Sequence, residues 1–171
     1  MGTGVSRLLL VFLWLSLPLL SSGSDLEWKK QGLRREAQYW ISHPPKYLMG
    51  GKYKKGDTGP AYMDCSWYVY TLFYNTGHLV SYTTAKEMAA GKAGWGKILH
   101  DVKIFDVEDL DVIWWTFTEN RPDGHVGMTL YDPKSGLNMI TYASESHGRV
   151  VLVPPSGTLI KDISKVKRLN E

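Results

Sequence analysis

The order of residue patterns along the chain predicts an α+β domain with an antiparallel sheet. After an apolar leader, the first half of the chain places apolar residues at helical spacing. From Ile104 onward it carries β-branched and aromatic runs separated by short polar turns. Helices that precede a block of strands are typical of α+β folds, and strands joined by short turns pair antiparallel. We therefore expect one domain in which helices pack on one antiparallel sheet.

The N-terminal leader has the pattern of a secretory signal peptide. Arg7 provides a basic start, residues 8–20 are apolar, and residues 21–24 are small and polar. The apolar run is short for a bilayer span, and a cleavage-type segment follows it. We therefore expect residues 1–23 to be removed on secretion, leaving a single extracellular domain over 24–171 that is not held in a membrane. A retained N-terminal anchor is the alternative.

Three helices are predicted in the first half of the mature chain. Residues 25–42 place apolar side chains on one face, and a Pro-Pro pair ends this helix. Residues 64–76 form a second helix that is rich in aromatic side chains. Residues 81–90 form a short third helix, in which Thr84 begins a capping box, and a flexible loop over residues 91–96 follows it.

The second half of the chain predicts four strands and a strand-like tail. Each run is rich in Val, Ile, Thr, Tyr or Trp, which favour pleated and partly buried surfaces. Turns are expected at residues 120–124 and 132–136, where Gly, Pro, Asp and Asn collect. The predicted strands are residues 111–118, 125–131, 137–144 and 149–153, and the tail, a strand or an extended segment, is residues 159–169.

Charge and cysteine content exclude several classes of function. Removing the leader, which holds one Arg and no acidic residue, lowers the formal net charge from +3 to +2. Such a balance gives no reason to expect nucleic acid as a partner. Neither HExxH nor CxxC occurs, so the sequence implies no metal site and no organic cofactor. A monomer is the expected state.

The single cysteine, Cys65, is the first candidate for chemistry. It begins the second predicted helix, and Asp64 before it is a suitable N-cap residue. The positive end of the helix dipole favours a thiolate there, and a thiolate is a strong nucleophile. A secreted chain with one cysteine has no internal disulfide, which favours either an intermolecular bridge or a working thiol. The alternative is a small buried apolar residue without a chemical role.

A cysteine nucleophile requires a base, and His125 is the candidate for that role. It opens a predicted strand directly after a polar turn, which places an imidazole at the edge of the sheet. The patterns around His43, His78 and His100 predict exposed positions in loops or at helix ends.

Several motifs, in order, resemble those of the NlpC/P60 cell-wall peptidases. Asp64-Cys65-Ser66 resembles the nucleophile motif, and His125-Val126-Gly127-Met128 resembles the base motif. The remaining matches are Tyr47-Leu48-Met49-Gly50-Gly51 before the nucleophile, the strand of residues 110–114 before the histidine, and the strand of residues 139–144 after it. The leader and small size also resemble a secreted branch in arthropods, the domesticated amidase effectors, which are similar to the second family of type VI amidase effectors.

This resemblance implies a papain-like fold, with the nucleophile at a helix start packed on the antiparallel sheet. It implies a secreted, antibacterial hydrolase of innate immunity whose partner is bacterial peptidoglycan and whose cut falls in amide bonds of the stem peptides or crosslinks. Cys65 then matches the nucleophile, His125 the general base and Tyr47 a tyrosine at the reacting centre. Asp64, Ser66 and Trp67 fall in the region that contacts substrate and the oxyanion.

Three departures from the family pattern stand out. Trp67 replaces the usual glycine after Asp-Cys-Ser, and the stretch between Gly51 and Cys65 is several residues longer than usual. The third catalytic position, usually a polar residue, matches Tyr142. A hairpin register that pairs residue 131 with residue 137 sets His125 opposite residue 143. The orienting group is then Tyr142, His147, a backbone carbonyl or a water.

Two other functions fit the same residues. A non-catalytic wall-binding protein on the same fold would tolerate the departures at Trp67 and Tyr142. A related cysteine acyltransferase would use the same thiol but would require an apolar acyl groove beside it.

Overall fold

The computed structural model describes residues 23–58, 61–116 and 124–170, which contain five α-helices. Their bounds are α1 Gly23–Ser42, α2 Cys65–Asn75, α3 Ala85–Ala89, α4 Trp95–Ile98 and α5 Gly157–Lys161. A 3₁₀ turn covers Ile104–Asp106. Within these ranges no helix combines the length and the apolar character that crossing a bilayer demands. The leader at 1–22, the end of the predicted strand at 117–118 and most of the turn at 120–124 lie outside the described residues.

The strands of the described ranges form one sheet. They are β1 Lys46–Tyr47, β2 Tyr62–Met63, β3 Leu99–Val102, β4 Val112–Trp115, β5 His125–Asp132, β6 Leu137–Ser144, β7 Arg149–Val153 and β8 Ile163–Leu169. Their order across the sheet is β2-β1-β7-β6-β5-β4-β8-β3. Every neighbouring pair is antiparallel except β1 and β2, which are parallel. The predicted α+β class with an antiparallel sheet is confirmed, with this one parallel pair at its edge.

Alternation along the strands divides the apolar residues between the two faces of the sheet. On β5, Val126 and Met128 join the larger core, which also holds the buried side chains of α1 and α2. A smaller core on the other face holds Ile113, Ile140 and Tyr142 and includes none of the side chains of α1 or α2. The sheet therefore separates the helix layer from a second apolar face.

Helix α2 lies at the centre of the larger core. Its residues Cys65 to Val69, and then Thr71, Leu72 and Phe73, are all buried. A helix that is apolar on nearly every side belongs inside a domain rather than on its surface. The Tyr68 hydroxyl and the Thr141 hydroxyl on β6 form a buried hydrogen bond of 2.8 Å, which joins the helix to the middle of the sheet.

The local signals for the first three helices are confirmed. Helix α1 ends at Ser42, ahead of the two prolines, and Asp64 caps α2 as expected. Thr84 caps α3 by accepting a hydrogen bond from the Glu87 backbone N–H. Several elements were not expected. Residues 95–98 and 157–161 are helical, residues 46–47, 62–63 and 99–102 form β1, β2 and β3, and residues 104–106 form the 3₁₀ turn.

The predicted hairpin register between β5 and β6 is wrong by one residue. Tyr131 pairs with Asn138, not with Leu137, and Met128 pairs with Thr141. A hydrogen bond closes the turn between the two strands: the Gly136 backbone N–H donates to the Asp132 carbonyl. Because side chains alternate along a strand, this shift exchanges the faces of β6 relative to β5. Continued along the strands, the observed register sets Ser144 opposite His125.

His78 is buried rather than exposed. Its Nδ1 atom lies 3.0 Å from the Thr76 hydroxyl and 3.2 Å from the Phe73 carbonyl, and Thr76 is the C-cap residue of α2. Burial lowers the pKa of this imidazole, because the charged form loses its hydration. The prediction of a surface histidine failed because the chain folds back over this helix end.

We expect Tyr68→Phe to lower the free energy of unfolding by about 1–3 kcal/mol, since it leaves the buried Thr141 hydroxyl without its partner. Urea denaturation followed by tryptophan fluorescence measures the change. Tyr74→Phe is the matched control, because Tyr74 lies on the same helix and its side chain is exposed. Equal stability of both variants would show that the buried bond contributes nothing.

Candidate active site

The chain enters α2 through a tight turn built on two glycines. Gly50 has a φ of +74°, a backbone conformation that favours glycine. A Cβ atom on Gly51 would lie 2.8 Å from the Leu48 carbonyl oxygen and 2.8 Å from the Tyr62 carbonyl carbon, so a side chain does not fit there. The Gly-Gly pair therefore lets the backbone of this turn press against the strand that leads into Cys65.

The Asp64 carboxylate ties this turn to the helix. It accepts hydrogen bonds from the Trp67 backbone N–H at 2.7 Å, the Ser66 hydroxyl at 2.9 Å and the Gly50 backbone N–H at 3.1 Å. Asp64 and Ser66 are both buried. Their polar atoms face each other within the helix start, where they hold the position of Cys65.

The Cys65 side chain is only 7% exposed and lies in the larger core. The pKa of its thiol is raised to about 11, chiefly by burial and also by the nearby Asp64 charge. Backbone N–H groups, first that of Val126 on β5, act in the opposite direction. Desolvation therefore acts against the thiolate that the helix dipole was expected to favour at this position.

His125 opens β5 and stands opposite Trp115 on β4. Its imidazole lies 5.1 Å from the Trp115 ring and 5.2 Å from the Tyr142 ring, which it meets at 89°. Gly127 is on the same face of the strand. A Cβ atom there would lie 3.2 Å from the Trp115 ring and 3.0 Å from the Tyr142 Cβ. The glycine of the His-Val-Gly motif thus leaves room for the aromatic pair beside the imidazole.

A cavity of about 450 Å³ lies in front of His125. Its walls combine aromatic, hydroxyl and carboxylate groups: Trp115, Thr116, His125, Tyr142, Ser144, Glu145, Ser146, Leu159 and Asp162. Of these, His125 and Tyr142 were predicted as site residues, and the other seven were not. Leu159 and Asp162 come from α5 and the residue after it, and no local pattern relates this segment to the histidine. No group of three metal-ligating side chains is placed to hold an ion among the residues that the structure describes.

The Cys65 thiol lies close to the β5 backbone at the residue after His125, because it interacts with the backbone N–H of Val126. The Val126 side chain belongs to the core that holds the helices, while the His125 ring packs against Trp115 and Tyr142. The fold therefore brings Cys65 to the start of β5, where His125 lies, with the thiol on the helix side of the strand and the cavity beside the imidazole.

The two candidates for the orienting group occupy different places. Tyr142 touches the imidazole with its ring. His147, just beyond β6, places Nδ1 2.9 Å from the Ser144 hydroxyl, and Ser144 lines the His125 cavity. Tyr142 therefore contacts His125 directly, and His147 is linked to the cavity through Ser144.

Tyr47 lies on β1, between two parts of this region. It pairs with Met63, which directly precedes Asp64, and its backbone N–H donates to the carbonyl of Gly148, next to His147. Its hydroxyl lies 3.9 Å from the Met49 sulfur. The strand therefore joins the approach to Cys65 with the loop that carries His147.

Trp67 connects two of the departures from the family pattern. Its indole N–H donates to the Tyr53 carbonyl at 2.6 Å, and Tyr53 belongs to the longer stretch between Gly51 and Cys65. The indole also packs against the rings of Tyr70 and Tyr82, each at 5.0 Å. The tryptophan in place of glycine thus anchors the extra loop.

Comparison with solved structures places this architecture among known folds. A P60 domain from an antigen of M. avium subspecies paratuberculosis superposes with a TM-score of 0.57 and 18% sequence identity, over 86% of this chain and 98% of that one. The fold is that of the NlpC/P60 domains. A protein similar to lipoprotein, of the NLP/P60 family, from Staphylococcus aureus superposes with a TM-score of 0.54 and 13% identity. The match covers 84% of this chain and 42% of the S. aureus chain. No protein-family model and no curated protein matches the sequence.

The alkylation of Cys65 by iodoacetamide should track its raised pKa. Because the thiol is protonated at neutral pH, the rate should climb with pH toward about 11 without a plateau between pH 5 and 8. Asp64→Asn removes a charge that raises the pKa, so its curve should shift to lower pH. Asp57→Asn, in the exposed loop, is the control and should leave the curve unchanged. A plateau below pH 8 in the unmodified protein would instead indicate a resting thiolate–imidazolium pair.

Proposed function

We propose that this protein is a secreted cysteine hydrolase that cleaves amide bonds in the stem peptides of bacterial peptidoglycan. The observation that carries the proposal is the position of the single thiol. Cys65 begins a buried helix and meets β5 at the residue next to His125, within an NlpC/P60 fold. A nucleophile, a base and backbone N–H donors at a helix start are the parts that acyl transfer requires.

In this proposal, His125 accepts the thiol proton as the Cys65 sulfur attacks the amide carbonyl. The carbonyl oxygen becomes an oxyanion, which backbone N–H groups at the start of α2 stabilise. Collapse of the intermediate breaks the C–N bond, and the imidazolium gives its proton to the leaving amine. Water, deprotonated by His125, then hydrolyses the thioester and restores the thiol.

The raised thiol pKa determines when the proton moves. At neutral pH the resting Cys65 is a neutral thiol, so proton transfer accompanies the attack. A neutral thiol is a weak nucleophile, so the rate depends on the base. His125 is therefore the residue whose loss should be most costly after that of Cys65 itself.

Orientation of the imidazole is assigned to Tyr142. Its ring packs edge-on against His125 and is itself 8% exposed, so it restricts the rotation of the imidazole by contact. His147 is the less favoured candidate for this role, because its Nδ1 atom is within hydrogen-bond distance of the Ser144 hydroxyl. A dyad of this kind is workable, since a third group serves mainly to fix the tautomer and the orientation of the base.

The biological role follows from the leader and the motif resemblance. A chain with a signal-peptide pattern and an NlpC/P60-like site fits an extracellular antibacterial protein of innate immunity that acts as a monomer on peptidoglycan. The acyltransferase alternative requires an apolar acyl groove beside the thiol. The apolar groove that is lined by Ile104, Ile113 and Ile140, among others, includes neither Cys65 nor His125.

A second candidate, a wall-binding protein without catalysis, is favoured by one observation. The Cys65 thiol is largely buried and has a raised pKa, as a packed and inert cysteine does. Such a protein would bind sacculi equally well with Cys65→Ser, and the thiol would have no role beyond packing.

A digest of isolated sacculi, followed by mass analysis of the muropeptides, tests both functions. Wild type should convert crosslinked fragments to smaller ones, Cys65→Ala should be inactive, and His125→Ala should lose about 10²–10⁴-fold in rate. His100→Ala is the control, because His100 is exposed and bonds to Asn170 away from the site. Cleavage by Cys65→Ala would overturn the mechanism. An unchanged muropeptide profile with co-sedimentation of both proteins would establish the binding function.

A further inference from the structure

Three lysines lie on the loop over residues 52–58, and Lys52 has distinct surroundings. Its Nζ atom stands 4.4 Å from the centre of the Tyr82 ring. Its backbone forms an isolated antiparallel bridge with Met63, which directly precedes Asp64 and Cys65. The exposed ammonium group is therefore placed beside the residues that lead into the candidate nucleophile.

Tyr82, the platform under this ammonium, is itself held by the start of α2. Its hydroxyl lies 3.4 Å from the Ser66 hydroxyl, and its ring packs at 5.0 Å against Trp67. The face of a tyrosine ring attracts a cation through its quadrupole. The ring face has no oxygen or nitrogen atom that could accept a hydrogen bond from the ammonium group. The N–H donors of Lys52 thus lie over a ring that contacts the two residues after Cys65, and they remain available to an acceptor.

The loop that carries Lys52 is anchored. The Trp67 indole holds the Tyr53 carbonyl at 2.6 Å, and the Tyr53 ring packs edge-on against Trp40 at 6.1 Å. A side chain on an anchored segment loses less conformational freedom when a ligand binds. Lys52 is in this respect unlike a lysine on a freely solvated loop.

Within the described part of the chain, Lys52 forms no ion pair, although other lysines do: Lys29, Lys92, Lys165 and Lys167 each contact a carboxylate. The nearby Asp64 carboxylate is occupied by its three donors. A positive charge that is positioned but not paired suits an anionic group of a ligand.

We propose that Lys52, held over Tyr82, binds a free carboxylate on the residue next to the scissile amide. It thereby selects stem peptides that carry this carboxylate over those in which it is a carboxamide. This inference rests on the proposed hydrolase function, and it identifies the carboxylate as the substrate feature that the site recognises.

Matched synthetic stem peptides, identical except for a carboxylate or a carboxamide next to the scissile bond, provide the test. Wild type should show a kcat/KM about tenfold higher for the carboxylate peptide, as expected of a charge-assisted contact. Lys52→Gln should lose this preference and retain the wild-type rate on the carboxamide peptide, and Lys52→Arg should keep part of the preference. Added salt should reduce the preference of wild type, because Lys52 is exposed.

Lys55→Gln is the matched control. Lys55 lies on the same loop, and its Nζ stands 3.8 Å from the ring of Tyr39 on α1. The variant loses the same charge and the same kind of ring contact, and it should keep the full preference. If Lys52→Gln keeps the preference, or loses activity equally on both peptides, the inference is wrong.

Affinity measurements separate this inference from the proposed function. Calorimetry on the Cys65→Ala variant should give tighter binding of the carboxylate peptide, and adding Lys52→Gln should remove the difference. If wild type hydrolyses neither peptide but this difference is present, the hydrolase proposal fails and the carboxylate site stands. If wild type hydrolyses both peptides at equal rates, the carboxylate site fails and the hydrolase stands.

Discussion

The buried carboxylate of Asp64 is the interaction on which the site depends. A charge in this position is tolerated only if hydrogen-bond donors surround it. The donors come from Gly50 on the preceding turn and from Ser66 and Trp67 on the helix. One side chain therefore caps α2, closes the Gly-Gly turn onto it, and sets where Cys65 stands relative to the sheet.

The same burial that orders Cys65 also makes its thiol hard to ionise. A thiol in the core is shielded from oxidants in solution, and the same burial raises its pKa to about 11. In the proposed mechanism the nucleophile would therefore stay neutral until substrate and base act together. The His125 ring packs between Trp115 and Tyr142, and this packing holds the imidazole in place.

Two of the three departures from the NlpC/P60 pattern, Trp67 and the longer loop, form one connected feature. A glycine after Asp-Cys-Ser would leave the Tyr53 carbonyl without the indole donor of Trp67. Trp67 thus contacts the longer loop directly, and Tyr82 joins them to Lys52 through ring contacts. The result is an aromatic and basic rim on the side of the helix start where Ser66 and Trp67 lie. This rim gives the site a chemistry of its own on a shared fold.

The sequence by itself determined the features that arise from local patterns. The first helices, the Asp64 and Thr84 caps and the strands of the second half were predictable, because capping and periodicity act over a few neighbouring residues. Only the tertiary structure decided the ionisation of Cys65, since desolvation depends on how closely α2 approaches β5. It also decided the β5–β6 register, which changed the expected neighbour of His125, and it brought Leu159 and Asp162 to the cavity. These outcomes rest on contacts between segments far apart in the chain, for which a local pattern holds no signal.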